Sequence, residues 1–446
     1  MKTLIHKPVW ALSFLCLATC LFLASCGSNS DDMPPVTGGG TGGGTGGGGT
    51  GGGTGGGGTG GGTGGGGTGG NTSGSAPCEN GSAGGFPCMG IDLVDRVTLQ
   101  EMSSGEANDV WGWVDPMDGT EYALVGLIDG TGFVRLDSEG NATYLGKLPT
   151  ETQSSPWRDV KVYGNHAFVV SEASNHGMQI FDLTRLRGLT SASSFDADAV
   201  YGGIGNAHNV VINEDMGYAY PVGTAVSDAY QGGVHFVDVS DPGAPSPAGG
   251  YGGSGYTHDA QVITYNGPDQ VYRGREIFVG ANEDEVVFVD ITDKSNPQFI
   301  SSVTYTDIGY THQGWFTEDH RFFLLGDELD ETGPTGYRSR TIVFNVSNLD
   351  NPINHYEYQG PTNAIDHNGY VLGDKFYLAN YTAGMRIIDI SNIAQRSMTE
   401  LAYFDTHPAS DNAQFRGVWS VYPYLPSGFI LVNDIEQGLF VLKESN

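Results

Sequence analysis

The chain has 446 residues, 71 of them glycine, and a formal net charge of −31 from 20 Lys+Arg against 51 Asp+Glu. A chain this acidic lacks the basic face that nucleic-acid backbones or anionic lipid surfaces need, which excludes both kinds of docking. Hydrophobic residues make up 38%, enough for a buried core once the glycine-rich portion is set aside.

Residues 1–25 read as a secretory leader. Lys2 and Lys7 give the positive start, and an apolar run from Ala11 to Leu23 follows, short for a membrane span. The run ends in Leu23-Ala24-Ser25-Cys26-Gly27, a bacterial lipobox pattern. It predicts lipidation of Cys26, and Gly27 in place of Asp predicts the outer membrane or cell surface of a Gram-negative bacterium. A multiply acylated cysteine is a stable anchor, since each buried methylene contributes about 0.8 kcal/mol. Residues 26–77 then form a tether. Within it, 38–70 holds only 26 Gly and 7 Thr, with Thr41, Thr50, Thr59 and Thr68 nine apart. Such chain is a flexible coil reaching on the order of 30 Å.

Cys16 and Cys20 leave with the leader, so Cys78 and Cys88 remain as an even pair in an exported chain. They read as a disulfide closing a small loop over 78–90, with a reactive thiol pair as the alternative.

From residue 91 to 446 one pattern recurs about every fifty residues. It is a run of apolar β-formers that ends in a turn, marked by an Asp/Ser/Asn/Pro cluster: Gly132–Asp137, Gly177–Leu183, Gly233–Pro242, Val286–Asp293, Thr341–Asn348, Gly384–Ser391 and Gly438–Leu442. The spacing suits propeller blades of four strands. The seventh repeat stops after its third strand, and Val94–Leu99 ahead of the first supplies the missing one. The expectation is an all-β protein: a single seven-bladed β-propeller closed by an N-terminal strand, with no weak seam. A monomer is expected.

Aligned by repeat, the residues just before each first strand are Asp109, Arg158, His208, His258, His312, His367 and Arg416, in steps of 49, 50, 50, 54, 55 and 49. First strands line a propeller's channel, so these positions converge on one mouth. Three readings stand open. The histidines tie blade turns together; or His208, His258, His312 and His367 hold a transition metal, for which neutral imidazole is a good ligand; or Asp109, Arg158 and Arg416 form a ligand site, guanidinium being suited to carboxylate or phosphate. Under the metal reading Asp259 or Asp366 serves as orienter or base. The acidic loop with Asp327, Glu328, Asp330 and Glu331 offers oxygen ligands for Ca²⁺ without EF-hand spacing, or is a solvated charge run. No Gly-x-Ser-x-Gly elbow, P-loop or His-Glu-x-x-His occurs.

Several longer stretches resemble the choice-of-anchor B family. They are the loop from Cys78 to Cys88, Val110–Trp113, Trp157–Tyr163, Gly177–Leu183, His312–His320, Gly326–Glu331 and Asn380–Arg386. The strand repeats resemble LVIVD repeats, and the resemblance covers about residues 78–446. It implies an exported protein held at the cell surface, here through Cys26, and carries no activity or catalytic residues. The functional expectation is a surface-anchored propeller that binds an unidentified ligand or macromolecule at one mouth. The alternatives are a metal-dependent enzyme of oxidase or hydrolase type and a structural or adhesion module.

Overall fold

The third strand of each repeat explains the whole architecture. Its apolar run ends in Asp or Asn, whose side chain accepts the backbone N–H two residues on: Asp182 from Thr184, Asp238 from Ser240, Asp290 from Thr292, Asn345 from Ser347 and Asp389 from Ser391, all at 2.8–3.0 Å. This Asx turn stops the strand and starts the reversal that lays down the fourth. A computed structural model, describing residues 74–333 and 336–445, shows the outcome. Seven antiparallel sheets of four core strands each form a β-propeller. Only two short 3₁₀ turns, Leu183–Leu186 and Ile393–Gln395, stand beside the strands among the described residues.

The innermost strands are Ala107–Val114, Arg158–Tyr163, Asn209–Asn213, Asp259–Thr264, Thr311–Phe316, Gly369–Leu372 and Val418–Tyr422, for blades one to seven. Each packs on the next, and the seventh on the first. In six blades the register slips by one residue between third and fourth strands, as at Phe236/Val237 and Phe288/Val289. Such bulges increase the twist that makes each blade fan outward.

Buried side chains fall into seven clusters, one per blade–blade interface. Between blades three and four, for instance, Tyr220, Val222 and Phe236 meet Val262, Phe278 and Val287. No blade has a core of its own.

Closure uses Ile91–Val97, which pairs with Gly438–Glu444 as the fourth strand of blade seven. The strand begins three residues before the predicted Val94 and ends two before Leu99. Thr98 instead opens a turn, its hydroxyl and N–H both held by Glu101 at 2.7 Å.

Cys78 and Cys88 are joined, as expected. The loop they close is a hairpin, Ser82–Ala83 with Phe86–Met89, that extends blade six by pairing Cys88 with Phe404 and Met89 with Tyr403. Phe86 packs tilted against Phe404 and edge-on against Phe440, so the hairpin covers the joint of blades six and seven. The leader, Cys26 and most of the tether lie outside the described residues. No described helix is long and apolar enough to cross a membrane.

Leu93 is buried in the closing strand, whereas Leu401 on an outer strand is exposed. Leu93→Ala is expected to cost about 2–5 kcal/mol in denaturant unfolding, against under about 0.5 for Leu401→Ala. Equal losses would mean that the strand contributes little to closure.

Candidate functional site

The approach to each inner strand carries a residue that leaves the regular ladder. His312 lies in a register break between Thr311 and Gln313, and Trp419 in the matching break between Val418 and Ser420. His208, His258 and His367 stand just before their strands and donate backbone N–H to Val222, Ala281 and Ala379. A break in the ladder re-aims a side chain, here toward the axis. The four imidazoles form one arc: ring centroids are 4.1 Å apart for His208–His258, 4.6 Å for His258–His312 and 4.5 Å for His312–His367. All four are buried.

Three of them are fixed through Nδ1. His208 Nδ1 meets the Glu172 carboxylate, His258 Nδ1 meets the Tyr310 hydroxyl at 3.0 Å, and His367 Nδ1 donates to the Trp419 carbonyl at 2.6 Å. Glu328 reaches in from the loop after blade five's second strand. Its carboxylate lies 3.5 Å from His312 Nε2 and 3.4 Å from His367 Nε2, and it accepts the Tyr381 hydroxyl at 2.9 Å. His258, His312 and Glu328 each offer a ligand atom within 4.8 Å of the others. His258 Nε2 and His312 Nδ1 are buried without a hydrogen-bond partner. Burial holds His258, His312 and His367 neutral. It lowers His258 and His312 well below the ordinary value, reinforced by neighbouring imidazoles, and lowers His367 to about 3. Neutral rings are the form that binds metal.

The structure corrects the rest of the sequence-derived ring. Asp109 accepts the Val160 N–H just as Asp159 accepts the Val210 N–H, so the two aspartates are equivalent and Asn108 is the true counterpart of Arg158. In blade seven the counterpart is Trp419, in ring contact with His367 at 4.9 Å, not Arg416. The proposed ligand group of Asp109, Arg158 and Arg416 is not assembled. Arg158 is consumed inside the fold, donating to the Leu127 carbonyl at 3.0 Å, the Thr150 hydroxyl at 2.8 Å and His176 Nε2 at 3.0 Å. Arg416 pairs with Glu436 at 2.5 Å on a half-exposed edge. Asp109 and Asp159 clasp Lys161 at 3.1 and 2.5 Å. Burial opposes the lysine's charge, but the two carboxylates outweigh it and hold the ammonium protonated.

Neither proposed orienter acts on a histidine. Asp259 lines the channel, its carboxyl raised to about 6 by burial and bonded to its own strand at Ala260 N–H. Asp366 faces Glu331 instead. The orienting groups are Glu172, Tyr310 and the Trp419 carbonyl, which come from inter-strand loops and a main-chain atom. Of these only Tyr310, two residues before His312, leaves a hint in the sequence.

The acidic loop divides. Asp327 is structural, accepting Tyr310 N–H at 2.6 Å, Gly309 N–H at 2.7 Å and the Tyr305 hydroxyl at 2.7 Å. Glu328 joins the histidines, and Asp330 and Glu331 meet Asp366. The four-residue Ca²⁺ set read from the loop is therefore not one site.

Along the channel, beginning with the residues that follow the histidines (Asn209, Asp259, Gln313, Asn368), lies a cavity of about 260 Å³. Trp111, Trp315, Tyr370, Tyr422 and Tyr424 wall it. Lys161 sits 4.6 Å from the Trp111 ring centroid.

LVIVD repeats match at residues 157–182, 276–305 and 370–406, within blades two, four and six. The chain carries LVIVD repeats in a seven-bladed propeller. Among solved structures, it is similar to a protein from Lactobacillus plantarum at 14% identity, over 73% of this chain and 88% of that one, with a TM-score of 0.49. It is also similar to the Cps50 (Swd1) β-propeller domain of Myceliophteria thermophila at 10% identity, over 80% and 100%, with a TM-score of 0.49. No curated protein matches its sequence.

His176 gives a pH test of the Arg158 assignment. Burial and the Arg158 charge lower it to about 4, below the unfolded value of about 6.5. The folded state thus binds fewer protons between these values. Its contribution is complete above about pH 6.5 and falls away toward pH 4, by at most about 3 kcal/mol. Wild type should lose melting temperature across that window more steeply than His176→Gln. Identical slopes would contradict the assignment.

Proposed function

We propose that the chain is an exported, lipid-tethered binding module whose propeller holds a divalent transition metal at its histidine mouth and presents it to a ligand. One observation carries the metal reading. His208, His258 and His367 are anchored outward through Nδ1, Nε2 of His312 and His367 turns to Glu328, and Nε2 of His258 and Nδ1 of His312 stay buried without a partner. Metal-binding histidines show this arrangement, one ring nitrogen oriented by a hydrogen bond and the other left for the ion. A purely structural role accounts for the Nδ1 bonds but not for a buried unpaired nitrogen, which costs about 1–3 kcal/mol. Nitrogen donors with one carboxylate suit Zn²⁺ and its neighbours in the first row. The lipobox at Cys26 and the Gly/Thr tether support display at a membrane surface.

The test uses the full chain stripped with chelator. Zn²⁺ or Co²⁺ should bind at one equivalent, read by calorimetry and elemental analysis. At 100 times the dissociation constant it should stabilise the fold by about 2.7 kcal/mol. His258→Gln and His312→Gln should each weaken binding at least about tenfold while the protein stays folded by circular dichroism. Wild type that takes up no metal would overturn the reading. For the tether, Cys26→Ser should move the protein from the membrane to the soluble fraction of the cell envelope; unchanged partition would refute lipid anchoring.

A further inference from the structure

We infer that Asp330, Glu331 and Asp366 form a second, all-oxygen cation site, suited to Ca²⁺, between the acidic loop of blade five and the entry to blade six. The three come from two segments, and one carboxylate oxygen of each lies within 4.8 Å of the others. Carboxylate oxygens this close can share one ion, and a set of oxygens alone suits a hard cation; Ca²⁺ accepts irregular carboxylate geometry more readily than Mg²⁺, which demands a near-ideal octahedron.

The independent observation is unmet polarity. Asp366 is 1% exposed and Glu331 7%, and neither carboxyl accepts a hydrogen bond from a side chain outside the acidic cluster. They face each other across the two segments. Buried carboxylates without outside donors or a counter-charge in direct contact are strongly disfavoured.

Arg340, fully buried, is the cation at hand, and its hydrogen bonds go elsewhere. Nε binds Asp330 at 2.5 Å, and the terminal nitrogens donate to the Thr306 carbonyl at 3.3 Å and the Asp307 carbonyl at 3.0 Å. Its remaining carboxylate neighbours are Asp327 at 3.9 Å and Glu357 at 3.6 Å. Asp366 and Glu331 are left for another cation.

Both segments are held in place beforehand. Asn380 donates its amide to the Ala364 and Ile365 carbonyls at 3.2 and 2.9 Å, fixing the chain ahead of Asp366. The Thr332 hydroxyl closes the loop on the Leu329 carbonyl at 2.7 Å. Gly326 lets Asp366 come close: a Cβ there would lie 3.1 Å from Asp366 Oδ2. The donor set separates this site from the histidine site, since oxygen alone favours hard ions and imidazole favours borderline ones. The inference does not depend on the transition-metal reading.

The experiment titrates the full chain, freed of metal with EGTA, with CaCl₂ or MgCl₂ by calorimetry and thermal melting. Ca²⁺ should bind one equivalent and raise the melting temperature, with Mg²⁺ at least about tenfold weaker. Asp366→Asn and Glu331→Gln should each weaken Ca²⁺ at least about tenfold while Co²⁺ binding persists; His312→Gln should do the reverse. The carboxamide variants remove the repulsion, so both should fold in the absence of Ca²⁺. Absence of Ca²⁺ binding by wild type, or Ca²⁺ binding retained by both carboxamide variants, would overturn the inference.

Discussion

The constraint on which this structure depends is that no blade can bury both of its faces alone. A four-stranded sheet with apolar side chains on both faces needs a neighbour on each side. Seven such sheets solve the problem only by returning on themselves, and the seven interface clusters are the result. The closing strand therefore does more than add hydrogen bonds. Leu93 and Val97 fill the interfaces on the two sides of blade seven, and the Cys78–Cys88 hairpin seals the first of these from outside with Phe86.

Closure fixes the mouth. In three blades a polar side chain early in the inner strand accepts the backbone N–H from the next blade: Asp109 from Val160, Asp159 from Val210 and Gln313 from Gly369. The residue just before this position is His in four successive blades, and the packing of each inner strand on the next brings those rings to 4.1–4.6 Å. The arc is a consequence of the repeat, whereas Glu328 and the Nδ1 partners are specific additions from loops.

The repeat was legible because its turns have a local chemical signature. The Asp or Asn that ends each third strand is also the residue that caps the reversal, so blade number and closure followed from spacing. The histidine arc was legible for the same reason. The alignment slipped where local geometry breaks the count. Blade one has two residues, Asn108 and Asp109, inside one register break, and blade seven is entered by a long loop, so Asp109 and Arg416 were taken one and three positions early or late. Partners that reach across blades, such as Glu172 to His208 over 36 residues, leave no mark in a periodic reading. Lys161 was invisible as a site residue because its importance comes from the two carboxylates that clasp it, which belong to different blades.

The acidic loop divides its carboxylates between two donor sets. Its residues alternate in direction: Asp327 turns back to cap Tyr310, Glu328 turns toward His312 and His367, and Asp330 and Glu331 turn toward Arg340 and Asp366. Asp366 and His367 make the same division on the facing segment, one to each donor set. Adjacent residues thus sort into an imidazole-bearing group and an all-oxygen group, and ligand softness keeps a borderline ion and a hard ion apart. On the two proposals, a cation among the carboxylates would offset negative charge close to Glu328, and the shared loop would couple the two donor sets through charge while their chemistry keeps them separate.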